Sequence, residues 1–122
     1  MMKRYGVTIT TDGSGDGTGY TPVCSGLIHA IRYVKTDYAD GVDVTVTCEQ
    51  SGQAVVTLTN QNASGTTYPR AATNDVAGAA SLFAATGEPV ECLIPVGEER
   101  IKLVVASGGA SKTGTFHVYV EQ

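Results

Sequence analysis

Between Val42 and Glu49 the chain alternates without a break. Val42, Val44, Val46 and Cys48 fall on one side, Asp43, Thr45, Thr47 and Glu49 on the other. A period of two sends successive side chains to opposite faces of an extended strand, so this segment has one face for a core and one for water. The same period recurs near the start, where Tyr5, Val7 and Ile9 oppose Gly6, Thr8 and Thr10, and late, where Val90, Cys92, Ile94 and Val96 share a face. Residue usage agrees: Thr occurs 16 times and Val 15 times, whereas the helix formers Leu and Lys occur 5 and 4 times. Branched side chains suit a pleated surface, and the fold class that follows is all-β.

The segments between these runs set the expected layout. Asp12–Gly19 carries four glycines and breaks the first strand; a second stretch runs from Tyr20 to Cys24. Leu27–Thr36 is apolar on both sides, as in a strand buried on both faces. Asp37–Gly41 makes a turn, and Ala54–Thr59 is the expected hairpin partner of Val42–Glu49. From Asn60 to Pro89 periodicity stops, which suggests a long crossover or partner-contacting excursion with a short helix in Asp75–Ala85, interrupted by Gly78. Regular structure resumes at Val90–Val96, with Gly97-Glu98-Glu99 as a tight turn into Arg100–Ala106 and Ser107–Gly114 linking to a closing hairpin strand, Thr115–Glu121. The expectation is a single domain over residues 1–122, a small β-sandwich or barrel of about seven to eight mostly antiparallel strands with one long loop.

Charge and hydropathy narrow the function classes. Eight basic against twelve acidic residues give a net charge of −4, which speaks against binding a nucleic-acid backbone. A hydrophobic content of 42% with 16% charged residues argues against disorder. No apolar run approaches the roughly 20 residues of a membrane span. The start, MMKRYGVTITT, lacks an apolar stretch after its two positive charges, so no secretory signal is expected. Cys24, Cys48 and Cys92 are odd in number and widely spaced, unlike a disulfide framework or a zinc ribbon. Two of them lie on apolar alternations, and buried free thiols are expected.

Motifs that carry chemistry are incomplete. Asp12-Gly13-Ser14-Gly15-Asp16-Gly17 places oxygens at the first, third and fifth positions of a calcium loop, but Val23 stands where the closing Glu belongs. A glycine-rich turn is the expectation there. Gly109–Gly114 contains Lys112-Thr113 without the preceding glycine of a phosphate loop and reads as a hairpin loop. His29 and His117 sit in strand interiors on outer faces, with no spacing that suits a metal or a catalytic triad. Acidic residues such as Asp37, Asp40, Asp43, Glu49, Asp75, Glu88, Glu91, Glu98, Glu99 and Glu121 are spread singly, and the absence of Trp leaves a sugar cleft thinly supplied. Asn62-Ala63-Ser64 fits a glycosylation sequon but is idle without a signal peptide. No catalytic residue, metal ligand or cofactor site is assigned, and the protein is not expected to be an enzyme. Tyr68, Pro69 and Arg70 have an anchoring character: Tyr and Arg dominate interface hot spots, and Pro stiffens their presentation. They are the candidate partner contacts.

The chain as a whole resembles a group of small proteins encoded among the head genes of tailed bacteriophages and regarded as virion structural proteins. The segments that carry the resemblance are YVKTDYADGVDVTVT, the NAS…YPR loop and RIKLVVASGGASKTGTFHVYV. The resemblance implies a capsid decoration (cement) protein that binds and stabilises the head shell. Its partners would be the major capsid protein or other virion proteins, with self-association, a trimer being the expected form. It also implies a virion location after synthesis in the host bacterial cytoplasm, with no nucleic acid or membrane as partner. The nearest alternatives are a head–tail connector or tail component; a β-sandwich binding or adhesin module is a further one. Candidate contact elements are the loop Asp12–Gly19, the arm Met1–Tyr5 and the Asn60–Pro89 excursion.

Overall fold

The structure, a computed structural model, describes residues 1–73, 77 and 91–122. Among them are eleven strands and no helix: β1 (Met2–Thr10), β2 (Gly17–Tyr20), β3 (Cys24–Val34), β4 (Asp43–Cys48), β5 (Ala54–Leu58), β6 (Gly65–Thr67), β7 (Ala71–Ala72), β8 (Glu91–Cys92), β9 (Ile94–Glu99), β10 (Ile101–Ala106) and β11 (Thr113–Glu121). Eight have four or more residues, and every pairing is antiparallel. The fold is all-β, of small β-sandwich type. The helix expected in Asp75–Ala85 and the strand position of Val90 lie outside the described residues.

One sheet runs β1-β11-β3, and the far edge of β3 is shared by β9 along Cys24–Ile28 and β6 along Ile31–Tyr33. The second runs β2-β10-β4-β5, and β7 and β8 form a short ladder of their own. Alternation decides what the two sheets turn toward each other. Val7 and Ile9 of β1, Phe116, Val118 and Val120 of β11, Val44, Val46 and Cys48 of β4, and Ile101, Leu103 and Val105 of β10 are all buried in one core. Their alternate neighbours face outward, including the threonine rungs Thr8–Thr115 and Thr10–Thr113, whose hydroxyls lie 3.3 and 3.1 Å apart.

Five expectations need correction. The strand Leu27–Thr36 is not buried on both sides: Leu27 is 40% exposed and Arg32 is exposed. Its mixed pattern comes from a β-bulge. Tyr119 pairs with Ala30 but Val120 pairs with Ile28, so His29 is an extra residue, and Ile28 and Ile31 both reach the core across it. Gly97–Glu99 is not a hairpin turn. The chain stays in β9 through Glu99, with an irregularity at Glu98 (φ 51°), whose amide donates to Ser25 Oγ at 3.1 Å, and then crosses from one sheet to the other. Thr115–Glu121 is likewise no hairpin partner of Arg100–Ala106: β10 pairs β2 and β4, whereas β11 lies between β1 and β3, so Gly109–Gly114 joins two sheets. The glycines at 17 and 19 belong to strand β2, paired with β10, and no larger residue fits there because a Cβ at either would press within 2.7 Å of the Ile9 side chain on β1. Cys24 and Cys48 are buried, but Cys92 is exposed: it lies on β8, which pairs with β7 in a short ladder apart from the two main sheets rather than continuing β9.

Glu99 closes the crossing. It is 6% exposed, and its Oε1 accepts the amides of Gln50 and Ser51 at 2.8 and 2.9 Å in the β4–β5 turn. Those amides hold its carboxyl below the usual range, the Ser51 amide contributing most. Its neighbour Arg100 forms a forked ion pair with Glu49, lowering that carboxyl too, and lies over the Tyr20 ring at 4.0 Å. A carboxyl depressed in the folded state contributes stability that is present above its unfolded pKa and lost as pH falls through the folded value. Unfolding free energy is therefore expected to fall steadily below about pH 4.5. Glu99→Gln should flatten part of that slope, as measured by urea titrations at stepped pH; an unchanged slope would show that the Gln50 and Ser51 amides do not hold the charged form.

Candidate functional site

The outer face of the first sheet carries a groove of about 310 Å³, lined by Met2, His29, Ala30, Arg32, Thr66, Tyr68 and Tyr119. Strand register explains how these residues meet. Across β1, β11 and β3 one row reads Arg4, Tyr119, Ala30, and the next reads Gly6, His117, Arg32, with Thr66 of β6 beyond. Ala30 forms a small, buried floor. The bulge at His29 swings that side chain to the rim, where its Nε2 stands 3.8 Å from Glu121 Oε2. His117 lies over Gly6, which has no side chain to displace it, and its Nδ1 is buried without a hydrogen-bond partner.

The predicted contact residues divide here. Tyr68 is 63% exposed and forms a wall of the groove. Pro69 is buried. Arg70 is half-buried, and its Nη1 donates to the carbonyls of His29 and Pro69 at 3.1 and 2.7 Å. Arg70 and Pro69 thus fix the loop to the back of the β3 bulge and hold Tyr68 out. One residue presents a surface, and two position it.

The loop Asp12–Gly19 is used internally. Asp12 Oδ1 accepts the amides of Ser14 and Asp16 at 2.8 and 3.1 Å, which lowers the Asp12 carboxyl, the Asp16 amide contributing most. The loop also interlocks with the β10–β11 link: Gly108 N donates to Gly15 O and Ser111 N to Asp12 O, at 2.9 and 3.1 Å. It is an Asx-type turn locked between two sheets. No group of three or more His, Cys, Asp or Glu side chains is placed to hold a metal among the described residues. The sequon residues have a structural task as well. Asn62 Oδ1 accepts the Gly41 amide at 2.7 Å and Ser64 Oγ the Lys35 amide at 2.9 Å, pinning the Asp37–Gly41 turn.

Met2 and Thr66 fall within the arm Met1–Tyr5 and the Asn60–Pro89 excursion expected to make contacts, whereas His29, Ala30, Arg32 and Tyr119 lie outside every expected contact element. Arg32 and Tyr119 left a partial signal, being large side chains at outward positions of otherwise apolar strands. Nothing local could place Thr66 and Tyr68 beside them, because that depends on β6 pairing with β3 from 32 or more residues away.

No protein-family model matches the chain, and no curated protein does. Among solved structures it is similar to an exo-β-1,3-galactanase from Phanerochaete chrysosporium, crystallised with galactose, at 13% identity and a TM-score of 0.37. That match covers 96% of this chain and 27% of the galactanase, so the chain spans about a quarter of that enzyme's length. A superposition this loose carries no argument about activity.

Proposed function

We propose that this chain is a bacteriophage virion structural protein, a decoration (cement) protein that binds the major capsid protein on the head shell and stabilises it. The observation that carries the reading is the resemblance of YVKTDYADGVDVTVT, the NAS…YPR loop and RIKLVVASGGASKTGTFHVYV to proteins encoded among phage head genes. The geometry suits such a role. The sandwich presents a grooved sheet face bearing Arg4, Arg32, Tyr119 and a braced Tyr68, side chains of the kind that anchor interfaces. In this reading the protein is no enzyme, needs no cofactor, and works as a homo-oligomer, with a trimer expected, so that weak single contacts add up over a symmetric lattice. It resides in the virion after synthesis in the bacterial cytoplasm.

The test is the copy number of the chain relative to the major capsid protein in purified particles, by quantitative mass spectrometry. Near-stoichiometric copies are the expected result. A small fixed number would move the protein to a vertex, the connector or the tail. Absence from particles would overturn the reading in favour of a β-sandwich binding or adhesin module.

A further inference from the structure

Positive charge on this acidic chain is unevenly engaged. Lys35 pairs with Asp40 at 2.6 Å, Arg100 pairs with Glu49, and Arg70 is held by backbone carbonyls. Arg4 and Arg32 have neither a hydrogen bond nor an ion pair among the described residues, and both project from the outer face of the first sheet. None of the residues lining the groove is acidic. The nearest carboxylate in register, Glu121, opposite Met2, faces His29 instead. Beside Arg32 in the next strand, His117 keeps a buried Nδ1 with no partner. A chain of net charge −4 thus gathers two unpaired guanidinium groups and two tyrosines on one rigid face.

The size of the groove narrows the occupant. About 310 Å³ lies at the lower limit of the roughly 300–1,000 Å³ that encloses a whole small molecule. It has room for a side chain or two of a longer polymer laid across the sheet. A guanidinium fork matches a carboxylate at two points, and the tyrosine walls match an apolar or aromatic neighbour. Two arginines on a net acidic chain are too few to hold a nucleic-acid backbone.

We propose that the groove takes an extended acidic segment of the partner protein, with a carboxylate on Arg32 and an apolar or aromatic side chain between Tyr68 and Tyr119. The inference rests on the docking reading above and names the chemistry of the partner at that site. Complementary charge then selects the partner and speeds its arrival, while the tyrosine contacts slow its departure.

The probe is a short, end-capped, dye-labelled peptide of alternating Glu and Tyr, titrated against the intact chain beside its Gln/Tyr counterpart and an oligo-dT strand. The acidic peptide is expected to bind at least about tenfold more tightly than the neutral one, the scale of one charge-assisted fork. Amide NMR shifts should cluster at His29, Arg32, Thr66 and Tyr119. Arg32→Gln should erase the preference while the thermal unfolding curve stays in place, because the side chain is exposed and unpaired. Tyr68→Ala should weaken both peptides alike. Equal binding of the two peptides, a preference that survives Arg32→Gln, or tighter binding of oligo-dT would each overturn the inference. Particle copy number is an independent readout. A chain abundant in particles but without acidic preference sinks the inference and leaves the virion reading standing. A chain absent from particles that keeps an Arg32-dependent preference does the reverse.

Discussion

Phe116→Ala is expected to cost roughly 3–5 kcal/mol of folding free energy. Phe116 is wholly buried in the middle of β11, the central strand of its sheet. Its ring stacks on Tyr33 at 5.3 Å between centroids, and Tyr33 stacks on Tyr38 at 6.3 Å. Tyr38 in turn donates its hydroxyl to the Ile9 carbonyl at 2.6 Å, tying the Asp37–Gly41 turn to β1. Truncating Phe116 removes its buried area and leaves a cavity at one end of this row, where strands on both sides prevent collapse. Against a total stability of about 5–15 kcal/mol, that loss moves the urea midpoint far down. Tyr33→Phe supplies the contrast. The Tyr33 hydroxyl is buried without a partner, and burial pushes its pKa up to about 12. Removing the hydroxyl should leave stability unchanged or raise it by about 1 kcal/mol. A loss below about 1 kcal/mol for Phe116→Ala would show that the aromatic row is not the centre of the core.

Gly26→Ala is expected to be as severe, for a reason that lies in the backbone. Gly26 has φ +135° where β3 leaves the Cys24–Glu99 pairing through an irregularity and continues beside β9. A Cβ there would overlap the Glu121 carbonyl oxygen and come within 2.9 Å of its carbon and 3.2 Å of Gln122 Cα. The obstacle is main chain, so no side-chain rotation relieves it. The disfavoured φ alone costs roughly 1–3 kcal/mol. Separating the end of β11 from Leu27 adds to it, and the total should exceed about 3 kcal/mol or abolish folding. Gly97→Ala, on β9 with open space around it and no positive φ, should change stability by less than about 0.5 kcal/mol. Similar losses at both positions would mean that strand propensity, not the approach of β11, makes Gly26 necessary.

These two positions also show what was legible in the sequence. Phe116 sits in the Thr115–Glu121 alternation, and its burial follows from the period of two. The same holds for the Val42–Glu49 strand, its hairpin with the segment Ala54–Thr59, observed as β5 (Ala54–Leu58), and the core phase of β1, all of which the structure bears out. Gly26 carries no such signal. Its neighbour is Glu121, at the other end of the chain, and a glycine needed for a distant approach looks like one needed for a turn. The bulge at His29 was hidden for a related reason: an extra residue in a strand makes a one-sided core pattern look two-sided. Of the candidate contacts, Tyr68 could be chosen from residue type, but its bracing by Arg70 against the His29 carbonyl required β6 to pair with β3.

Side-chain alternation is a local record. It states which face of each strand meets the core, and from it follow the all-β class, an approximate strand count, and the buried residues of β1, β4, β10 and β11. Strand order is a different quantity. A strand with the right face apolar can lie in either sheet with equal burial, so the pattern around Gly97–Glu99 fits a hairpin as well as a crossing. The choice falls to non-local terms: the Glu99 carboxylate accepting the Gln50 and Ser51 amides, Ser25 holding the irregularity at Glu98, and the interlocked Asp12 and Gly108 loops. The groove over Ala30 exists because of that choice, since it gathers residues from β1, β3, β6 and β11 that only tertiary pairing makes neighbours.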